Sequence, residues 1–221
     1  MSVCYVDVFC GGSQDGKLRV WDARNFNRLV QDIPKTHGYS KTRTIGMGLS
    51  CVIYLNSNSI ITCSTDDCEI KVWDLRKTFR CAHRNVKPLP LKKYYCSNPM
   101  LIDMQLNPQS SLLYASVYGS DILCFSLNST QRTPIHQYTG RHLNSMYSKI
   151  SISHDGKYIF SGCSQNSGVI WTTKLPHIKE PIFELNRKVK YKPTYSYVFD
   201  QELGVSDWCS DSRTHPKSSG E

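Results

Sequence analysis

The chain has 221 residues, and 27 Lys and Arg against 18 Asp and Glu give it a formal net charge of +9. A hydrophobic fraction of 39% with 20% charged residues is a globular balance, which excludes a disordered chain. No apolar run approaches the ~18 residues needed to cross a bilayer, and residues 1–10 lack the basic start of a signal peptide. Composition predicts a folded, soluble protein that has no membrane partner.

The 10 cysteines are scattered along the chain, at a density well below that of a disulfide scaffold. None forms a Cys-x-x-Cys pair, and the nearest group, Cys63, Cys68, Cys81 and His83, has the wrong spacing for zinc. We therefore expect free thiols in a reducing compartment, no metal site and no cofactor.

An internal repeat is the most informative feature of the sequence. Residues 13–24 and 64–76 align closely, and both end in Trp-Asp-x-Arg. Weaker copies follow at 121–127 and 161–171, so that the marker aromatics are Trp21, Trp73, Phe125 and Trp171. A period of about 50 residues is typical of a repeat architecture.

Short strands separated by turns make up each repeat. Before the second marker lie apolar runs at 49–55 and 59–64, and corresponding runs precede the later markers at 100–106 and 157–161. Asp-Gly and Asn-Pro dipeptides punctuate these runs, and no stretch has a convincing helical period. The sequence therefore predicts an all-β fold.

Units of four strands that carry a Trp-Asp dipeptide are typical of a WD40 β-propeller. A common closed propeller of about seven such blades needs roughly 315 residues. We therefore expect an incomplete propeller, with about three full blades and a partial blade at each end. The predicted units are a partial blade at 1–24, a blade at 25–76, a degenerate blade at 77–128, a blade at 129–175, and an insertion with the start of a further blade or a disordered tail at 176–221.

Polar residues around each marker are predicted to serve the blade structure and not catalysis. We expect Ser13 and Asp15 in the first repeat, and Ser64 and Asp66 in the second, to hydrogen-bond toward the Trp and an upstream His. For the last blade His142 is the candidate partner of Trp171. The third repeat has Phe125 and Ser126 in place of Trp-Asp, so we expect its network to be absent.

The order of these motifs over residues 10–175 resembles the denticleless family, whose members are substrate receptors of the cullin-4 RING ubiquitin ligase. The resemblance implies that the two boxes dock the propeller on the ligase's damaged-DNA-binding adaptor. Carried over by motif position, the docking residues are Trp21, Asp22, Arg24, Trp73, Asp74 and Arg76.

The residue pattern of the boxes is compatible with that role. Strand residues two apart share a face, so Asp22 can pair with Arg24 and Asp74 with Arg76. Each pair then presents a planar guanidinium that suits carboxylates or carbonyls of a partner. The alternative is that both are local turn salt bridges, which contribute little when exposed. Two boxes in adjacent blades favour docking.

The resemblance further implies a nuclear protein, with the cytoplasm as a second location. It implies that the protein presents replication and cell-cycle regulators, bound to proliferating cell nuclear antigen, for ubiquitin-dependent degradation and the DNA damage response. The alternative is a WD40 scaffold that binds chromatin or nucleic acid. It is motivated by the loop with Arg80, Arg84, Lys87, Lys92 and Lys93, and by the basic segment 187–192 with Tyr195 and Tyr197. No catalytic motif is found, so we do not expect an enzyme.

Overall fold

The computed structural model describes residues 7–39, 46–78, 88–97, 100–119, 121–142, 145–146, 148–164, 166–173, 189–199 and 208. Within these ranges the regular structure is almost entirely β, which confirms the predicted class. The described part contains 16 strands: β1 Val8–Gly12, β2 Leu18–Asp22, β3 Asn25–Ile33, β4 Leu49–Asn56, β5 Ser59–Ser64, β6 Glu69–Asp74, β7 Lys92–Tyr95, β8 Leu101–Leu106, β9 Leu112–Val117, β10 Ile122–Ser126, β11 His136–Tyr138, β12 Ile150–Ile152, β13 Tyr158–Cys163, β14 Ser167–Thr172, β15 Val189–Tyr191 and β16 Tyr195–Val198.

The strands form four sheets in the described part of the chain. Their orders are β1-β2-β3, β4-β5-β6-β7, β8-β9-β10-β11-β15 and β12-β13-β14-β16. We number these sheets one to four. Neighbouring strands are antiparallel except at the edge of sheet three, where β15 lies parallel to β11. Sequential antiparallel strands joined by short turns are the arrangement expected of propeller blades.

The sheets are displaced from the repeat units by one strand. Strand β3 opens the predicted unit 25–76, yet it pairs with β2, with Leu18 opposite Ile33. Strands β7 and β11 likewise open their units and complete the preceding sheets. Each sequence repeat thus contributes its first strand to the sheet before it, which ties consecutive repeats together.

The described strands of the predicted unit 176–221 belong to sheets that begin earlier in the chain. Strand β16 pairs with β14 and completes sheet four, and β15 extends sheet three. The start of a further blade, expected near the end of this unit, stays a prediction. Tyr195 and Tyr197, which the sequence placed in an insertion, are strand residues opposite Ile170 and Gly168. The residues of this unit other than 189–199 and Trp208 lie outside the described ranges.

Three apolar cores lie where successive sheets meet. Leu18, Ile60 and Trp73 form the core between sheets one and two. The second core joins sheets two and three, and the third joins sheets three and four around the buried Trp171. Because burying one such side chain contributes about 2 kcal/mol, contact between sheets holds the array together.

Tight turns align the sheets at one end. Gly16 has φ +77, and a Cβ there would lie 2.7 Å from the backbone of Gly46, so the predicted Asp15-Gly16 turn requires glycine. Gly156 has φ +68 and accepts a 3.0 Å hydrogen bond from Asn107 Nδ2, which links sheet four to the turn after β8.

The cysteines in the described ranges are free thiols, and Cys63, Cys96, Cys124 and Cys163 among them are buried. Cys4, Cys81 and Cys209 lie outside those ranges. No group of three or more metal-ligating side chains is found among the described residues. Likewise, no described helix combines the length and apolar character needed to span a membrane.

Candidate partner-docking site

The two Trp-Asp-x-Arg boxes lie at equivalent places in adjacent sheets. Strand β2 ends at Asp22 between β1 and β3, and β6 ends at Asp74 between β5 and β7. The chain then turns, and the arginine follows two residues later. Since sheets one and two share a core, the two boxes occur at the same end of neighbouring blades.

The geometry of the boxes is nearly identical. Arg24 donates from Nε to Asp22 Oδ1 at 3.0 Å and from Nη2 to Oδ2 at 2.7 Å. Arg76 makes the same pair with Asp74, at 3.2 and 3.1 Å. In both boxes the arginine backbone N–H also donates to the aspartate Oδ1, at 2.9 Å. Each carboxylate therefore fixes both the turn and the plane of the guanidinium.

The arginines are open to solvent while their partners are largely covered. Arg24 and Arg76 side chains are 67% and 68% exposed, against 23% for Asp22 and 8% for Asp74. Hydrogen bonds from Arg24 lower the pKa of Asp22 to about 2, and those from Arg76 lower the pKa of Asp74. Because these pKa values are lowered, the pairs are ionised at neutral pH and weaken only as pH falls below the ordinary range of aspartate.

Bidentate pairing uses only part of each guanidinium's donor set, so further N–H groups face solvent. The first box has one extra charge neighbour, since Arg24 Nε lies 3.5 Å from Asp7 Oδ2. The arrangement can bind carbonyls or carboxylates of a partner surface. The same contacts also match a local turn salt bridge, the alternative that the residue pattern left open.

A hydrogen-bonded link joins the second box to sheet one. Residues 75–78 form a single helical turn after Asp74. Gln31 on β3 donates from Nε2 to the carbonyl of Leu75 at 3.0 Å, and the Thr78 hydroxyl lies 3.0 Å from Gln31 Oε1. Gln31 and Thr78 are both buried. The strand after the first box thus contacts the turn that carries Arg76, a connection that sequence reasoning missed.

Trp73 belongs to a buried polar chain whose members differ from those predicted. Its Nε1 donates to Thr62 Oγ1 at 2.9 Å, and Thr62 Oγ1 lies 2.9 Å from His37 Nε2. His37 Nδ1 lies 2.8 Å from Asp67 Oδ2. The predicted partners Ser64 and Asp66 are wrong, because they bond to each other within the turn, from Asp66 N to Ser64 Oγ at 3.1 Å.

The first repeat has the turn but not the polar chain. Asp15 accepts from Lys17 N at 3.0 Å and from Arg19 Nη2 at 2.7 Å. Trp21 instead stacks on Phe9, with ring centroids 5.2 Å apart. Glycine occupies the position equivalent to Thr62, with Gly11 opposite Arg19. Asp15 and Ser13 therefore shape the hairpin, and the predicted bonding toward Trp21 is not seen among the described contacts.

In the last blade the predicted histidine is replaced by its neighbour. His142 is exposed, whereas Arg141 is buried and donates to Ser161 Oγ at 3.0 Å and Ser116 Oγ at 2.9 Å. Trp171 Nε1 donates to the Thr139 carbonyl at 2.9 Å. The assignment of His142 to this network is therefore wrong. A one-residue difference of this kind leaves no signal in a single sequence.

No equivalent polar chain is found among the described residues of the third repeat. Phe125 occupies the Trp position opposite Leu113, and Ala115 stands where sheet two has Thr62. Both Phe125 and Ala115 are fully buried in the core between sheets two and three. An apolar pair leaves no polar group to satisfy, so this blade needs neither the hydroxyl nor the histidine.

The second repeat resembles a known protein family. A model described as "WD domain, G-beta repeat" matches residues 40–74, which end at the Trp73-Asp74 pair of the second box. The match confirms that the repeat is of the WD40 type, and with the sheets above it confirms the predicted class of an all-β fold built as a WD40 β-propeller.

Proteins named denticleless are similar over most of the chain. The "Denticleless protein homolog" of Danio rerio is 26% identical over 91% of this chain, and that of Homo sapiens is 26% identical over 91%. "Protein lethal(2)denticleless" of Drosophila melanogaster is 28% identical over 80%. The chain spans 33%, 30% and 26% of these relatives, respectively. The predicted resemblance to the denticleless family is thereby confirmed.

Proposed function

We propose that this chain, which resembles the denticleless proteins, forms propeller blades of a substrate receptor for a cullin-4 RING ubiquitin ligase. In this role it docks on the damaged-DNA-binding adaptor of the ligase. It contributes binding and no catalytic chemistry of its own. The observation that supports the proposal most directly is the pair of boxes with matching geometry at equivalent ends of adjacent sheets.

The exposed side chains of Arg24 and Arg76 support the proposed docking step. Asp22 and Asp74 hold Arg24 and Arg76 in one orientation, so little side-chain freedom remains to be lost when a partner binds. Arginine anchors of this kind often dominate the energy of an interface. Two anchors on one rim also fix the direction in which the propeller faces the ligase.

The substrates we propose are replication and cell-cycle regulators presented on the proliferating cell nuclear antigen. We also propose the nucleus as the site of action, with the cytoplasm as a second location. A net charge of +9 favours rapid association with acidic surfaces. Charge does not select a substrate, so this part of the proposal rests on the resemblance.

Adaptor co-purification from cells tests the docking step. The full chain is compared with Arg24→Ala combined with Arg76→Ala, and we expect the double variant to lose at least tenfold in recovered adaptor. Its melting temperature should stay close to that of the parent, because both side chains are exposed.

Arg19→Ala is the matched control. Arg19 also pairs with an aspartate, at 2.7 Å, but it lies on β2 two residues before Trp21, the first residue of the box. This variant should retain the adaptor. Equal recovery of adaptor by the double variant and the parent would contradict the role of the boxes.

A second candidate is a scaffold that binds chromatin or nucleic acid. Lys190, Lys192, Tyr195 and Tyr197 are described, and all four are exposed on or beside β15 and β16, which suits a nucleic-acid strand. Two other cations invoked for this role are engaged: Lys92 Nζ donates to backbone carbonyls at 2.9 and 2.7 Å, and Lys93 pairs with Glu69.

Arg80, Arg84, Lys87 and residues 187–188 lie outside the described ranges. Strongly salt-dependent DNA binding without adaptor recovery would favour the scaffold over the receptor.

A further inference from the structure

A groove of about 290 Å³ lies beside the polar chain of sheet two. Its walls are the loop after β3, residues 33–38, and the segment that leads into β7, residues 88–93. Three side chains of β6, Glu69, Lys71 and Trp73, also line it. We call this the lysine–proline groove, because Pro34, Pro88 and Pro90 form much of its apolar wall.

An exposed apolar row extends from the groove along the β7 edge. Leu89 is 77% exposed, and Leu91 and Tyr95 are 46% and 44% exposed. Lys93 and Tyr95 share one face of β7, because strand residues two apart do so, and Leu89 and Leu91 lie in the segment just before this strand. Solvent-exposed apolar rows next to a cavity mark surfaces that another molecule covers.

The groove carries more cationic than anionic side chains. Lys71 Nζ is 3.0 Å from Glu69 Oε2 and 3.5 Å from Asp67 Oδ2, and Lys93 shares Glu69 at 3.1 Å. Lys35 has no carboxylate partner among the described residues, and its ammonium lies 4.1 Å from the centre of the Tyr39 ring. Three lysines thus face two carboxylates, which leaves a positive excess at the rim.

We infer that the lysine–proline groove binds an acidic peptide segment of a partner protein, with one apolar side chain as its anchor. The anchor packs against Leu89 and the prolines, over the indole of Trp73. A carboxylate of the same segment pairs with Lys35 and with the outer side of Lys93, which is 36% exposed. This interaction does not depend on the ligase proposal, since it uses neither arginine box.

Selection from a displayed library of random peptides, each about 12 residues long, tests the inference with the full chain as bait. We expect enriched peptides that combine Asp or Glu with a neighbouring Leu, Ile or Phe. A labelled synthetic copy of the most enriched peptide is then titrated by fluorescence polarisation. Its affinity should fall as salt is raised, because the lysines at the rim are screened.

Variants of the groove assign the binding site. Leu89→Ser should weaken the selected peptide about tenfold, since an anchor contact is removed from an exposed side chain. Lys35→Asn should weaken it about threefold and reduce the salt dependence. Asparagine is chosen because Lys35 has φ 55, which asparagine tolerates.

Matched controls are available in sheet four. Val198→Ser removes an apolar side chain that is 86% exposed, and Lys157→Asn removes a lysine paired with Asp155 at 2.9 Å. Both should leave peptide affinity unchanged, as should Arg24→Ala combined with Arg76→Ala.

Three results would overturn the inference: no enriched peptide, enriched peptides without acidic residues, or equal affinity for the groove variants and the controls. Loss of peptide binding with intact adaptor recovery separates this site from the boxes.

Discussion

The hydrogen bonds around Thr62 form a chain. Trp73 Nε1 can only donate, so Thr62 Oγ1 accepts from it, and the same hydroxyl has His37 Nε2 as its second partner. His37 Nδ1 in turn hydrogen-bonds to Asp67 Oδ2. Each buried polar group is thereby satisfied, which explains why a hydroxyl is needed at this one position of β5.

Thr62→Val should remove the centre of this chain. The indole N–H of Trp73 and the Nε2 of His37 both lose their partner in a fully buried site, so we expect the free energy of unfolding to fall by about 2–4 kcal/mol. Urea denaturation of the full chain, followed by far-ultraviolet circular dichroism, measures the loss.

Thr65→Val is the control for this prediction. The Thr65 hydroxyl lies 3.3 Å from Asp66 near the surface, so its loss should change stability by less than about 0.5 kcal/mol. If Thr62→Val were as stable as Thr65→Val, the chain would have no energetic role.

The marker residues were predictable from the sequence, but their partners were not. Trp-Asp-x-Arg recurs, so Arg24 and Arg76 could be located by alignment alone. The turn of the second repeat has one extra residue, which moves the networked carboxylate from Asp66 to Asp67. His37 could have been found from the sequence, because it lies upstream of the second repeat and is followed by Gly38. In the structure Gly38 has φ 91.

At the scale of strands, the contact between β3 and the turn after β6 sets the relative position of the two boxes. Gln31 reaches across from sheet one, and its amide engages both the Leu75 carbonyl and the Thr78 hydroxyl. Thr78 Oγ1 also lies 2.9 Å from the Leu75 carbonyl. These bonds constrain the helical turn 75–78, which contains Arg76.

Gln31→Leu should loosen this turn without removing either arginine. A leucine has similar volume but leaves the buried Leu75 carbonyl and Thr78 hydroxyl with fewer partners. We expect faster amide hydrogen exchange over residues 75–78, and adaptor recovery reduced about threefold if the boxes dock as proposed.

Gln109→Leu provides the comparison, since Gln109 donates to the His154 carbonyl at 3.3 Å on an exposed surface. It should leave exchange at 75–78 unchanged. Unaltered exchange in Gln31→Leu would show that the link does not constrain the turn, whatever the adaptor result.

Strand positions were predictable where side chains alternate or form apolar runs, and less so elsewhere. Runs at 49–55 and 59–64 became β4 and β5 because their apolar residues fill two inter-sheet cores. All four residues of β16 are exposed, so no alternation of apolar and polar residues indicates this strand in the sequence. It exists because β14 offers an open edge, and edge pairing depends on backbone groups that sequence patterns do not report.

At the scale of the molecule, stability depends on contacts between successive sheets. Each of the three cores draws residues from two sheets, so a sheet cannot bury its apolar face alone. Sheets three and four have a polar link as well as an apolar core. Arg141 precedes β12 and joins Ser161 on β13 to Ser116 and the Val117 carbonyl on β9.

Arg141→Ala should weaken this interface strongly, while His142→Ala should not. Burial lowers the pKa of Arg141 to about 10, so it remains charged at neutral pH and its cost of burial is offset by hydrogen bonds. Removing it leaves two buried hydroxyls and a carbonyl short of a partner, and we expect a loss of about 3 kcal/mol in unfolding free energy. Because His142 is exposed, its truncation should change stability by less than about 0.5 kcal/mol. Paired urea denaturation curves for the two neighbouring variants measure the difference, and a larger loss from His142→Ala would restore the histidine to the network that the sequence first assigned to it.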